Sequence, residues 1–484
     1  MSLSAASELS TSSHGSTAPR APHHAGLAAE LAERHRQRAL YELGDHPLLE
    51  RQRQRESNAR SYPRRLPLAL SRAQGVYVED VEGRVFLDCL AGAGTLALGH
   101  NHPAVTEAMM RTLHSGLPLH TLDITTPVKD RFMQDVLGTL PANFARHARI
   151  QFCGPTGADA VEAALKLVRL ATGRSTVLAF QGAYHGMTQG ALALMGNLGP
   201  KAALGGSLSG VQFLPYPYRY RCPFGLGGDA GVAASLAYMD NLLSDPESGV
   251  PRPAAIIVEP VQGEGGMIPA PVAWLQGLRG LATRHEVPLI LDEVQTGFGR
   301  TGRMFAFEHA GIEPDVVVLS KAVGGGLPMS LVVYHERFDT WRPGAHAGTF
   351  RGNQLAMAAG SATLAVLRAE RLDAAAAELG ARLQQQLAAY AERFACIGEV
   401  RGRGLMLGVE LVDAAAVPDA VGARPAHPAL AARVQRECLR RGLIVEIGGR
   451  HGCVVRFLPP LVITAAQIDE AARIFGQALA AASA

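Results

Sequence analysis

The stretch Asp315-Val316-Val317-Val318-Leu319-Ser320-Lys321-Ala322-Val323-Gly324-Gly325-Gly326 decides the fold. Its apolar run reads as a buried strand, and the glycines after Lys321 read as a turn. A lysine released at such a strand end can hold an aldehyde as a Schiff base. Upstream, the run Val287-Pro288-Leu289-Ile290-Leu291 ends in Asp292 at an equivalent strand terminus. Two neighbouring parallel strands would therefore deliver an amine and a carboxylate to one place. Taken singly, each has a plainer explanation: a solvated loop lysine and a helix cap.

Working outward, three more apolar strands end in polar or glycine-rich residues, and in a parallel sheet such ends line one crevice. Ile150-Gln151-Phe152-Cys153 leads into Gly154-Pro155-Thr156-Gly157-Ala158-Asp159 and a helical run over Val161–Leu170. A glycine-rich turn opening a helix presents free N–H groups and the positive dipole end to a phosphate, although an ordinary capped helix start reads the same way. Thr176–Phe180 runs into Tyr184-His185-Gly186, an aromatic pair able to stack on a planar ring or simply to fill core. Ala254–Val258 ends in Glu259, with Glu264 five residues on in Gln262-Gly263-Glu264-Gly265-Gly266, and both carboxylates are candidate substrate-binding residues. A phosphate cradle, a stacking aromatic, an anion for a ring nitrogen and an amine for an aldehyde together describe pyridoxal phosphate.

Bulk properties narrow the class. The chain of 484 residues exceeds one ordinary core, and its 48% hydrophobic and 18% charged residues suit an α/β enzyme. Net charge of +3 gives no reason to expect a nucleic-acid partner, and the local basic stretch Arg51, Arg53, Arg55, Arg60, Arg64 and Arg65 reads as a solvated face, since no aromatic series accompanies it. Six scattered cysteines without zinc or redox spacing imply a reducing, cytoplasmic compartment. No metal is expected, because no His-Glu-x-x-His helix appears, and no membrane, because no apolar run approaches the ~20 residues of a span.

Along the chain, residues 1–28 read as a disordered tail, with a transit peptide as the alternative, and Ala28–Leu43 has helical spacing. Gly75–Asp80 and Arg84–Asp88 flank Glu82-Gly83 as a hairpin. Strand-like and helix-like runs alternate from about 105 to 335, the signature of a parallel sheet covered by helices. Residues 365–395 have helical period, and strands are expected at Arg403–Glu410, Leu443–Ile447 and Val454–Leu458. The glycines of residues 90–100 imitate a dinucleotide fingerprint, but Gly99, Asn101 and Pro103 break the chain before a helix can form, so they are expected to allow close approach of backbone to a ligand or another subunit.

The segment Leu291-Asp292-Glu293-Val294-Gln295-Thr296-Gly297-Phe298-Gly299-Arg300-Thr301-Gly302, with Ser320-Lys321-Ala322-Val323-Gly324-Gly325-Gly326-Leu327-Pro328 after it, resembles the class III, fold-type I pyridoxal-phosphate aminotransferases, a likeness that extends over residues 62–475. Within that class, Phe152–Gly157, Phe213-Leu214-Pro215-Tyr216-Pro217-Tyr218 and His346-Ala347-Gly348-Thr349-Phe350-Arg351-Gly352-Asn353-Gln354 resemble the diaminobutyrate–2-oxoglutarate aminotransferases. The resemblance implies a large domain with a mostly parallel sheet over 116–364. A smaller α/β domain would be built from 46–115 and 365–484, after a tail and leading helix over 1–45.

By motif, the resemblance implies Lys321 as the imine lysine and Asp292 as the partner of the ring nitrogen. Gln295 would bond the ring hydroxyl, Val294 would pack on the ring opposite Tyr184, and Gly157 and Ala158 would give N–H groups to the phosphate. Thr349 would reach the phosphate of the other subunit, which implies a homodimer with a shared active site. Arg456 matches the arginine that grips the α-carboxylate of glutamate or 2-oxoglutarate, and Glu264 the carboxylate that covers it when the amine donor is bound. The implied reaction moves the terminal amine of L-2,4-diaminobutyrate to 2-oxoglutarate. Ornithine, 4-aminobutyrate or a diamine as donor stay open, as do a mutase or decarboxylase of the same fold and a non-catalytic module. Two departures stand out. Met187 occupies the place where relatives carry an arginine for a distal carboxylate, and Ala158 lacks the hydroxyl usual in the phosphate turn.

Overall fold

The computed structural model describes residues 24–202, 204 and 210–484. The tail expected over residues 1–28 lies largely outside them. The leading helix spans His24–Arg36 and ends sooner than its spacing suggested, with extended chain following to the helix at Pro47–Arg55.

Seven strands build the central sheet, in chain order β1 (Ala148–Phe152), β2 (Val177–Phe180), β3 (Val211–Leu214), β4 (Ala255–Val258), β5 (Leu289–Asp292), β6 (Val316–Leu319) and β7 (Leu331–His335). Their spatial order is β1-β7-β6-β5-β4-β2-β3. Strands β2 to β6 pair in parallel, and only β7 runs the other way, between β6 and β1. β2, β4, β5 and β6 are buried on both faces, which is why they read as unbroken Val, Ile and Leu runs rather than alternating ones. The register Asp292↔Val318 brings the end of β5 beside the end of β6, three residues before Lys321.

Two four-stranded sheets stand beside it, the first drawing on both ends of the chain and the second on residues 397–457 alone. One has Leu70–Gln74, Tyr77–Asp80 and Val85–Asp88 in antiparallel order, closed in parallel by Leu443–Ile444; the other joins Ile397–Arg403, Met406–Leu411, Val454–Phe457 and Glu446–Gly448. Three expectations change here. The strand expected over Arg403–Glu410 is a hairpin turning at Gly404-Leu405. The strand expected over Leu443–Ile447 divides at Val445, one half pairing with Leu87 and Asp88 and the other with Val454–Arg456. The helical run over 365–395 is two helices, Gln354–Ala369 and Leu372–Ala391, separated at Arg371, whose φ of 49° lies in the left-handed region. As for the glycines of 90–100, a Cβ on Gly99 would stand 2.4 Å from the Gly75 carbonyl oxygen, so its close approach is to this chain's own backbone.

Candidate active site

The ends of β2, β4, β5 and β6 and the turn after β1 surround a cavity of about 480 Å³. Gly157, Ala158, Tyr184, His185, Glu259, Glu264, Asp292, Val294, Gln295 and Lys321 all border it, which gathers ten of the twelve residues singled out in the sequence. Met187 borders it as well, more than half exposed. Arg456 reaches it through Glu264. Thr349 does not: it lies on an exposed loop away from this cavity.

The floor is electrostatic. Asp292 is 5% exposed and is gripped from two sides, by His185 Nδ1 at 2.7 Å from Oδ2 and by the Val294 N–H at 3.0 Å from Oδ1. His185 thus turns the Nδ1 edge of its ring to Asp292. Its Nε2 has no hydrogen-bond partner among the described residues. Burial opposes protonation of His185, but the Asp292 hydrogen bond and charge outweigh it and raise the imidazole pKa. Glu259 is not a free substrate ligand: its carboxylate accepts from the Tyr184 N–H at 2.9 Å and the Gly263 N–H at 3.1 Å. Burial, with Asp292 nearby, pushes its pKa up to about 7.

Lys321 begins a short 3₁₀ turn with φ of 52°, a left-handed conformation that a non-glycine residue holds only where its surroundings impose it. Burial lowers the pKa of its amine, against the opposing pull of Glu264 and Asp292. Opposite, the helix Gly157–Thr172 opens onto the cavity, and the Thr156 side chain makes no capping bond. The positive end of this helix is open to an anion. Gly157 is required by closeness, since a Cβ there would stand 3.2 Å from both methyls of Val294. The Thr156 hydroxyl was missed in the sequence, where attention fell on the absent hydroxyl at Ala158. Behind the turn, Asp159 accepts from the Gly154 N–H and stands 3.4 Å from His346 Nε2.

Arg456 is fully buried and held by two carboxylates. Its Nη1 is 2.7 Å from Glu264 Oε1, and its Nη2 is 3.2 Å from Glu264 Oε2 and 2.7 Å from Glu446 Oε2. Burial resists ionisation of Glu264, yet the charge and hydrogen bond of Arg456 prevail and lower its pKa.

A helix start for a phosphate, a buried carboxylate for a ring nitrogen and an amine of lowered pKa for an aldehyde thus share one cavity, a donor set that fits pyridoxal phosphate. The Aminotransferase class-III family matches residues 58–479. The chain belongs to that family. Class-III aminotransferases depend on pyridoxal phosphate, and so does this one. Among relatives of this class-III chain, a diaminobutyrate–2-oxoglutarate aminotransferase of Rhizobium meliloti (strain 1021) is 60% identical over 87% of this chain and 90% of its own. One of Haemophilus influenzae is 53% identical over 89% and 94%. Among solved class-III relatives, an amine transaminase from an uncultivated Pseudomonas species, with pyridoxal phosphate bound, superimposes with a TM-score of 0.77 at 31% identity, covering 91% of this chain and 98% of its own.

Proposed function

We propose that this class-III aminotransferase moves the terminal amino group of L-2,4-diaminobutyrate to 2-oxoglutarate, giving L-aspartate 4-semialdehyde and L-glutamate, reversibly. The observation that carries the reading is the Arg456–Glu264 pair, whose carboxylate forms part of the wall of a cavity already holding Lys321 and Asp292. A reaction with two unlike substrates needs a carboxylate receptor that can be presented to one and withdrawn from the other. The names of the two relatives supply the donor. A mutase or decarboxylase has no use for such a gate.

Lys321 would hold the cofactor, Asp292 its ring nitrogen, Gln295 its ring hydroxyl, Tyr184 and Val294 its two faces, and the N–H groups of Gly157 and Ala158 its phosphate. When bound, pyridoxal phosphate supplies a sink for the electron pair left by the breaking C–H bond. Asp292, aimed by His185, would keep a proton at the ring nitrogen. Lys321, whose amine burial holds below its usual pKa, would be the base that takes the proton from the donor's terminal carbon. Arg456 then receives the α-carboxylate of 2-oxoglutarate through two charge-assisted bonds once Glu264 turns away.

The working unit is a homodimer in which Thr349 of the partner subunit meets the phosphate; the exposed place of Thr349, outside the cavity of its own chain, supports this. No described helix is long and apolar enough to cross a membrane. The six unpaired cysteines support a cytoplasmic setting.

Borohydride reduction of the holoenzyme followed by peptide mapping tests the chemistry: the cofactor should be trapped on Lys321, and trapping elsewhere sinks the mechanism. Consumption of 2-oxoglutarate in one-to-one ratio with diaminobutyrate tests the reaction.

A further inference from the structure

Glu446 carries chemistry that the gate alone does not explain. Because the chain changes sheets at Val445, Glu446 becomes the direct cross-strand partner of Arg456 on an antiparallel pair, which puts the two side chains on one face. Arg456 therefore serves two carboxylates, and its better hydrogen bonds go to Glu264. Glu446 Oε2 lies 2.7 Å from Nη2 but is misaligned, and this buried oxygen accepts no hydrogen bond among the described residues. A buried carboxylate oxygen in that condition costs free energy unless a cation completes it.

A cation of the protein is close by but engaged elsewhere. Arg65, at the end of the short helix Tyr62–Arg65, donates from Nη1 to the carbonyl of Ile447, the residue after Glu446, at 2.7 Å. Its charge acts on both Glu264 and Glu446, yet among the described residues it forms no ion pair. Next to the Arg456–Glu264 pair, the structure thus places a carboxylate short of hydrogen bonds near a cation short of a carboxylate. That arrangement is complementary to the head group of an α-amino acid, one ammonium and one carboxylate on a single carbon.

We infer that Glu446 is a specificity-determining residue whose carboxylate receives the α-ammonium of an α,ω-diamino acid donor, while Arg65 takes that donor's α-carboxylate. The inference deepens the proposed reaction and rests on it. It gives the distal carboxylate a receptor in the absence of an arginine at Met187. It also separates diamino acids from ω-amino acids such as 4-aminobutyrate, which bring a carboxylate but no second ammonium.

The competing role for Glu446 is to hold Arg456 in place, and the two half-reactions separate the roles. In Glu446→Gln, single-turnover kcat/KM for 2,4-diaminobutyrate should fall about tenfold or more, the worth of one hydrogen bond to a charged group, with the loss carried mainly in KM. The glutamate half-reaction should stay within about threefold, because it brings no α-ammonium to Glu446 and Arg456 has no hydrogen bond to Glu446 to lose. Arg65→Gln should give the same split. Cofactor absorbance and thermal midpoint, unchanged, would show the variants folded. Equal losses in both half-reactions would make Glu446 a positioning residue for Arg456 and overturn the inference, as would no loss with diaminobutyrate. Wild-type enzyme that turns over glutamate but not diaminobutyrate would instead remove the functional reading beneath it.

Discussion

Arg456 and Glu264 close on each other: Nη1 and Oε1 are 2.7 Å apart, with the guanidinium wholly buried and the carboxylate at the cavity wall. The proposed receptor for 2-oxoglutarate is thereby filled by the protein's own carboxylate. An ion pair with one buried member and one that can reach water is a switch, because the movable partner regains hydration when it leaves. Arg456→Lys loses the planar fork, so the dissociation constant for 2-oxoglutarate should rise by at least about thirtyfold, the low end of what truncating a buried charge pair costs. Titration of the aminated cofactor form by absorbance measures it. Glu264→Gln should act oppositely, tightening 2-oxoglutarate and slowing the donor half-reaction.

Asp292 and His185 should behave as a unit of unequal halves. In the proposed mechanism Asp292→Asn removes the charge that would hold a proton at the ring nitrogen, and turnover should fall by about two to four orders of magnitude. His185→Gln leaves that charge but removes its aiming hydrogen bond, so the loss should be about tenfold. Rapid-quench measurement of the first turnover separates these effects from product release.

At Gly157 the space is already taken. Gly157→Ala would place a Cβ 3.2 Å from both Val294 methyls, and overpacking of this kind costs roughly 1 to 3 kcal/mol. Affinity for pyridoxal phosphate, followed by equilibrium dialysis, should weaken accordingly. Adding Val294→Ala should recover part of the loss, a non-additivity expected only if the two residues collide.

Glu259 and Glu293 are both buried carboxyls whose pKa is pushed up from 4.5 to about 7. A folded-state pKa above the unfolded value means that the native protein binds the proton more tightly. The stabilising contribution is then full below pH 4.5 and is lost as pH rises to about 7. In Glu293→Gln apoenzyme, thermal midpoints measured across this window should decline less with pH than in the wild type. A steeper decline in the variant would reverse the sign and refute the assignment.

The amino-acid sequence was sufficient wherever a local pattern carries the information. Strands β5 and β6 announce themselves because burial on both faces demands unbroken apolar runs, and their polar ends must gather because parallel strands end on one side of a sheet. That Lys321, Asp292, Gly157 and Tyr184 gather at one cavity was legible for that reason. The residues misread lie where the aim of a side chain matters more than its address. The Nδ1 edge of His185 is engaged by Asp292 and the Glu259 carboxylate by two backbone N–H groups, contacts that no local pattern announces.

Glu446 shows where that legibility ends. A short apolar run from Leu443 to Ile447 reads as one strand, and only the folded chain reveals that it leaves one sheet and joins another at Val445. The sequence determined which chemical groups this protein owns and at which strand ends they emerge, since periodicity and burial are local. Tertiary structure alone decided that Glu446 faces Arg456 and that Arg65 stands beside it, because contacts between distant segments follow from sheet pairing and register, which a single strand's pattern does not encode.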